Sequence, residues 1–235
     1  MDAYMTEIQF LFRWFHLLAG VCWIGILYYF NFVQVPFFAE TEANVRMGAI
    51  SKLVPRALWW FRWAAMVTFL TGLVMVLLKM HQLRGAFFES SYGWAITLGG
   101  LLGTMMWANV WFVIWPNQKV VIASAQGVVA GGTALPEAAA CGRRAALTSR
   151  TNVVFSVPML FFMGAASHLP LFAAVPENAA MVMPLVCLAL IGAIEANALV
   201  GTQGPTKKPL DTIPGAIHAG FALTVVFFVL FKVLF

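Results

Sequence analysis

The sequence predicts an all-α integral membrane protein: one domain of about six transmembrane helices. Three observations carry that prediction. Of the 235 residues, 62% are apolar and 10% charged, whereas a soluble domain carries about one quarter charged residues. Six apolar runs have roughly the 20 residues needed to cross about 30 Å of hydrocarbon. Most Lys and Arg residues gather between those runs. The net charge of +5 is therefore read as an orientation signal and not as a nucleic-acid-binding surface.

The spans fall near 8–34, 57–78, 94–115, 153–169, 181–200 and 213–235. The residues leading into span 1, Met1 to Gln9, carry Asp2 and Glu7 and no basic region, so they do not read as a cleavable signal peptide. In span 3, Gly99 and Gly103 form a small-xxx-small pair suited to helix contact. Span 4 is short and contains Pro158, so its start is expected to reach back toward Thr148. Residues 118–147, rich in Gly and Ala from Gln126 to Ala140, read as a flexible cytoplasmic loop, and no internal repeat stands out. The many Phe and Trp residues, such as Trp59, Trp60, Trp63, Trp107, Trp111 and Trp115, read as packing and interfacial belts.

Orientation follows from the basic residues. Arg46, Lys52 and Arg56 lie between spans 1 and 2. Lys119, Arg143, Arg144 and Arg150 lie in the long loop, and Lys207 and Lys208 between spans 5 and 6. The opposite side holds Lys79, Arg84 and Lys232. The positive-inside rule places the first group in the cytoplasm and both termini on the periplasmic side.

Polar groups are costly in hydrocarbon and are expected to face the bundle interior, find a partner or serve chemistry. Their depths sort them into two layers. In the outer layer are His16 of span 1, and His81 and His168 at the ends of spans 2 and 4. A noncovalent haem b needs axial imidazoles and room for a flat macrocycle. Gly20 and Gly164 lie one turn from His16 and His168 on the same helix faces and would supply that room. Copper or another metal at these imidazoles is an alternative. Cys22, Cys141 and Cys187 stand too far apart for a CxxCH haem site, an iron–sulfur motif or a thiolate zinc site.

In the inner layer are Asn31 and Gln34, Arg62, Asn109, Asn152, Glu195 and Asn197, and His218. The amides alone could serve as interhelical hydrogen bonds. Arg62 and Glu195 could pair, or Arg62 could hold an anionic substrate while Glu195 or His218 accepts protons. His218 lies roughly 10 to 15 Å deeper than His16 at 1.5 Å per residue, so it is assigned to the inner site, with a second haem as the competing reading.

Five strings go beyond generic membrane composition: RWFHLLAGVCWIGILYYFNFVQ (13–34), PRALWWFRW (55–63), WANVWFVIWPNQK (107–119), SRTNVVFSVPMLFFMGAASH (149–168) and IEANALVG (194–201). Together they resemble the membrane domain of bacterial membrane-bound urate hydroxylases, the cytochrome-linked urate oxidases. The resemblance implies a multi-pass oxidoreductase of the bacterial inner membrane that converts urate to 5-hydroxyisourate. Water would supply the oxygen, and a c-type cytochrome would take the electrons. Family members typically carry that cytochrome as a C-terminal domain. The present sequence has no CxxCH, so the expected partner is a separate periplasmic or membrane-bound c-type cytochrome.

On this reading Arg62 supplies a fixed positive charge for the urate anion. Asn31, Gln34, Asn109, Asn152 and Asn197 supply amide pairs, and Glu195 or His218 takes the released proton. Haem b at His16, with His168 or His81, would relay electrons outward. Three rival functions use the same residues differently: a non-catalytic haem subunit or anchor, a transporter with Arg62, Glu195 and His218 on its pathway, or a structural partner.

Overall fold

The computed structural model describes residues 3–176 and 179–235; Asp2, used in the signal-peptide argument, lies outside them. No strand occurs among the described residues. Six helices are long and apolar enough to cross a membrane: α1 (Tyr4–Glu40), α2 (Ala43–Phe87), α3 (Ser91–Val129), α4 (Ala138–His168), α5 (Ala179–Leu199) and α6 (Ile213–Leu234). The last turn of α2, Arg84–Phe87, is a 3₁₀ turn entered at Arg84 with φ 51°. Two short pieces, Pro205–Lys207 and Lys208–Asp211, link α5 to α6.

The helices begin where local chemistry allows. Ser90 caps α3 by accepting from the Gly93 amide at 3.1 Å, and Thr212 caps α6 by accepting from the Gly215 amide at 3.1 Å. Each cap satisfies one otherwise orphaned donor. At the far end of α5, Arg144 and Lys207 donate to the Leu199 and Asn197 carbonyls, and Lys207 also reaches the Val200 carbonyl at 2.9 Å. Cations at a helix C-terminus satisfy its last carbonyls and complement its dipole.

The rods are longer than the sequence suggested. At 1.5 Å per residue α1, α2 and α3 measure about 55 to 70 Å, well beyond the hydrocarbon thickness. Spans 1 and 3 do not stop at 34 and 115, because the chain stays helical through Pro36 and Pro116. It does so by widening into π turns at Tyr29–Gln34 and Asn109–Ile114. A helical proline lacks an N–H and crowds the carbonyl four residues back, and a π turn ahead of it absorbs both defects. The same F-V-x-x-P pattern, at 32–36 and 112–116, underlies the two turns.

The segment 118–147, expected to be a loop, is mostly helical. α3 continues to Val129 and α4 starts at Ala138, so only the short stretch between them is irregular. Helix formers dominate both flanks, while Gly131, at φ 88°, ends α3. The Leu135 amide donates to Ser124 Oγ at 3.0 Å and ties the turn down.

Packing is centred on α4, whose most apolar stretch is 67% buried against 11% for α1. α1 lies along α2, α3 along α4, and α6 against α4. Close approach is set by glycines: Gly99 faces Met163, and Gly220 faces Val157 and the Val154 carbonyl. Thus the Gly99 and Gly103 stripe does make helix contact, against α4.

Candidate functional site

The inner half of the bundle holds a cavity of about 120 Å³ where α1, α2, α3 and α4 meet. Its size is comparable with the ~150 Å³ protein cavity that accepts one benzene ring. Phe30, Phe61 and Leu58 form apolar wall, and Asn31, Gln34, Gln118, Ser149 and Arg150 bring polar groups to it. Gln118 is half-buried and Val35 exposed, which marks the rim.

Arg150 is the cation of this cavity, and it is 7% exposed. Its Nε donates to Asn31 Oδ1 at 2.8 Å and its Nη1 to the Leu210 carbonyl at 3.4 Å. Asn31 in turn donates to the Leu27 carbonyl at 2.9 Å and to Ser149 Oγ at 2.8 Å. Every polar end of Asn31 is thereby committed, and its amide orientation is fixed. Arg150 is not: a guanidinium has five N–H donors, and the only ion pair among the described residues is Arg143 with Asp211. Gln34 Oε1 is buried without a partner. The site thus presents a guanidinium with no ion pair of its own, which feels Asp211 only from beyond contact distance, and a spare amide to one small space. Asn31 and Gln34 both sit in the π turn of α1, which brings them to the interior together.

A second polar cluster joins α3, α4 and α5. Asn109 Nδ2 donates to Asn152 Oδ1 and to Glu195 Oε2, both at 2.9 Å, and Asn152 Nδ2 donates to the Met106 carbonyl at 3.0 Å. All three side chains are buried, and Glu195 Oε1 has no partner. None of the three lines the cavity. The amides expected to meet substrate at Asn109 and Asn152 instead hold the carboxyl group.

Three other inner-layer residues lie elsewhere. Arg62 bonds its own helix at the Leu58 carbonyl, and its guanidinium lies 3.6 Å above the Trp115 ring on the bundle surface, far from any pairing with Glu195. Trp115 and Trp111 act there as cation–π partners. Asn197 exchanges hydrogen bonds with Thr206 and fastens the α5–α6 connection. His218 points outward from α6 and is exposed, because the opposite face of that turn, Ala216 and Gly220, packs inward.

In the outer layer His16 Nδ1 donates to the Thr68 carbonyl at 2.9 Å and lies 3.3 Å from Thr71 Oγ1. With Nδ1 protonated, Nε2 keeps its lone pair, the tautomer suited to a metal ligand. His168 is exposed at the end of α4. Register relates the two. Tyr28 OH donates to Ser156 Oγ at 2.9 Å across antiparallel α1 and α4. His16 and His168 each lie twelve residues outward from those partners, about 18 Å of rise. His81 is exposed, and on α2 it lies thirteen residues beyond Thr68, about 20 Å from the level of His16. It therefore does not pair with His16. A Cβ added at Gly20 would make an ordinary contact with Thr68 Cγ2 at 3.9 Å, and one added at Gly164 would meet open space. The close neighbour of the imidazole is Gly72, where a Cβ would lie 2.9 Å from His16 Cε1. No group of three or more His, Cys, Asp or Glu side chains able to hold a metal ion occurs among the described residues.

Residues 86–228 match the family described as urate oxidase N-terminal. The chain belongs to the urate oxidase N-terminal family. No curated protein and no solved structure matches it. The match to the urate oxidase N-terminal family spans α3 to α6, and so includes Arg150, Ser149, Gln118 and the Asn109–Asn152–Glu195 cluster. His16, Asn31 and Gln34 on α1 lie before it. Sequence reasoning did not select Arg150, Ser149 or Gln118. Arg150 stood among the loop cations, and the clue available was its place in SRTN, beside Asn152.

Proposed function

We propose that this member of the urate oxidase N-terminal family is a multi-pass oxidoreductase of the bacterial inner membrane, with both termini periplasmic, that oxidises urate. The observation that carries this reading is Arg150: a buried guanidinium that forms no ion pair, bound to Asn31 and lining a small cavity beside the spare amide of Gln34. A urate monoanion is planar and ringed by carbonyl and N–H groups. Arg150 would neutralise it, Gln34 and Gln118 would accept and donate at its edge, and Phe30 and Phe61 would exclude water from its faces. The role expected of Arg62 passes to Arg150.

A bound haem b would supply the electron-accepting chemistry, with a separate c-type cytochrome on the periplasmic side as the onward acceptor. His16, through its free Nε2, and His168, as many residues outward from the Tyr28–Ser156 contact, are the side chains that would hold it. The chain's own contribution there is to fix the His16 tautomer through Thr68 and to hold the ring against Gly72.

Two measurements test this. Purified protein should bind urate, and Arg150→Gln should weaken binding about 10- to 100-fold, the range of a lost charged hydrogen bond of about 1.5–3 kcal/mol. An unchanged isotherm in a folded variant removes Arg150 from the site. A reduced-minus-oxidised spectrum should show haem b, lost in His16→Ala and His168→Ala and kept in His81→Ala. A haem-free preparation that still takes up urate into vesicles would favour the transporter reading.

A further inference from the structure

Urate oxidation with water as oxygen source releases protons that need a destination. The balance is urate monoanion plus water giving the 5-hydroxyisourate monoanion, two electrons and two protons; the electrons leave to the haem and cytochrome acceptor proposed above. No Asp, Glu or His side chain lines the cavity, so a side chain that takes the protons has to stand behind its wall. Among the buried polar side chains of the described residues only one is acidic, Glu195. We propose that Glu195, held by Asn109 and Asn152 across three helices, carries those protons from the cavity to the cytoplasmic water.

The geometry supplies both ends of the path. On the cavity side, Asn152 lies one turn from the cavity-lining Ser149 on α4, and Asn109 opens the π turn that ends at Ile114, a cavity wall residue. On the exit side, Glu195 lies four residues before the end of α5, about 6 Å of rise. The carboxyl group is positioned through one oxygen only. Oε2 accepts from Asn109, while Oε1 is buried with no protein partner and is the oxygen available to gain and lose a proton, directly or through water. Its immediate neighbours are the neutral amides Asn109 and Asn152. The charged or titratable inner-half groups on the elements packed around it are Lys119 of α3, Cys141, Arg143, Arg144 and Arg150 of α4, Lys207, Lys208 and Asp211 of the α5–α6 connection and outward-facing His218 of α6. No basic group among the described residues forms an ion pair with Glu195.

This inference rests on the urate reading, and the experiment separates the two. Wild type, Glu195→Gln and Glu195→Asp are compared as full-length protein with haem and excess oxidised c-type cytochrome. Glu195→Gln should bind urate with unchanged Kd, lose about 100-fold or more in kcat, and show a flattened pH–rate profile. Glu195→Asp should recover part of the rate. Wild-type turnover and pH profile in Glu195→Gln would overturn the assignment. Independently, the infrared carboxyl band absent from Glu195→Gln should titrate in the wild type when the bulk pH is changed. A band indifferent to pH would also overturn it. Failure of all three proteins to bind urate would sink the substrate reading alone, leaving the infrared titration to decide on Glu195.

Discussion

Two arginines of the inner half show how neighbours decide a side chain's task. Arg62 has an aromatic face and a carbonyl of its own helix; Arg150 has an amide, a distant carbonyl and a cavity. Arg62→Gln is therefore expected to leave urate affinity within about twofold, removing a cation–π contact of about 0.5–1 kcal/mol, while Arg150→Gln lowers affinity strongly in the same titration. At the outer level, Gly72→Ala should displace the His16 ring, since the added Cβ would sit 2.9 Å from Cε1. The expected readout is a shifted haem b spectrum, or weakened haem retention, in a protein that still inserts. The amides Asn31 and Gln34 could be read from the sequence, because a polar group deep in an apolar run must find a partner. Arg150 was hidden because a basic residue near a span end reads equally well as an orientation signal. His218 misled for a related reason: depth can be counted along a chain, but the face of the helix depends on neighbours such as Val157, which packs on Gly220.

Helices carry the next level of explanation. Existence and order of the six spans were legible from composition, whereas their ends were not, because Pro36 and Pro116 looked like terminators and are instead accommodated by π turns. Pro116→Ala restores a donor and removes the clash with the carbonyl of Phe112. The regular helix this favours would rotate Asn109 relative to Asn152. The expected result is a loss of turnover with near-normal stability, checked by kinetics beside thermal unfolding. Gly220→Ala acts through packing: its Cβ would lie 2.7 Å from Val157 Cγ2, and overpacking of this kind costs about 1–3 kcal/mol. A lower unfolding temperature is expected, largely recovered by adding Val157→Ala.

The whole molecule is a central rod, α4, dressed by the other five, with a redox level proposed outside and a substrate level inside. Its sidedness can be measured. With the native cysteines replaced by serine, a membrane-impermeant thiol reagent applied to intact spheroplasts should label Gly85→Cys and spare Gly132→Cys. The reverse pattern would place the cavity on the periplasmic side and overturn the exit direction argued for Glu195.

The π turns also set how this gene can change length. Each holds one residue more per turn than its surroundings, so deleting a codon within 29–34 or 109–114 would let the turn close to an ordinary α turn with both flanks still in register, re-aiming Asn31 or Asn109 within it. A codon gained or lost between Val129 and Ala138, where the backbone turns freely at Gly131, should pass unnoticed.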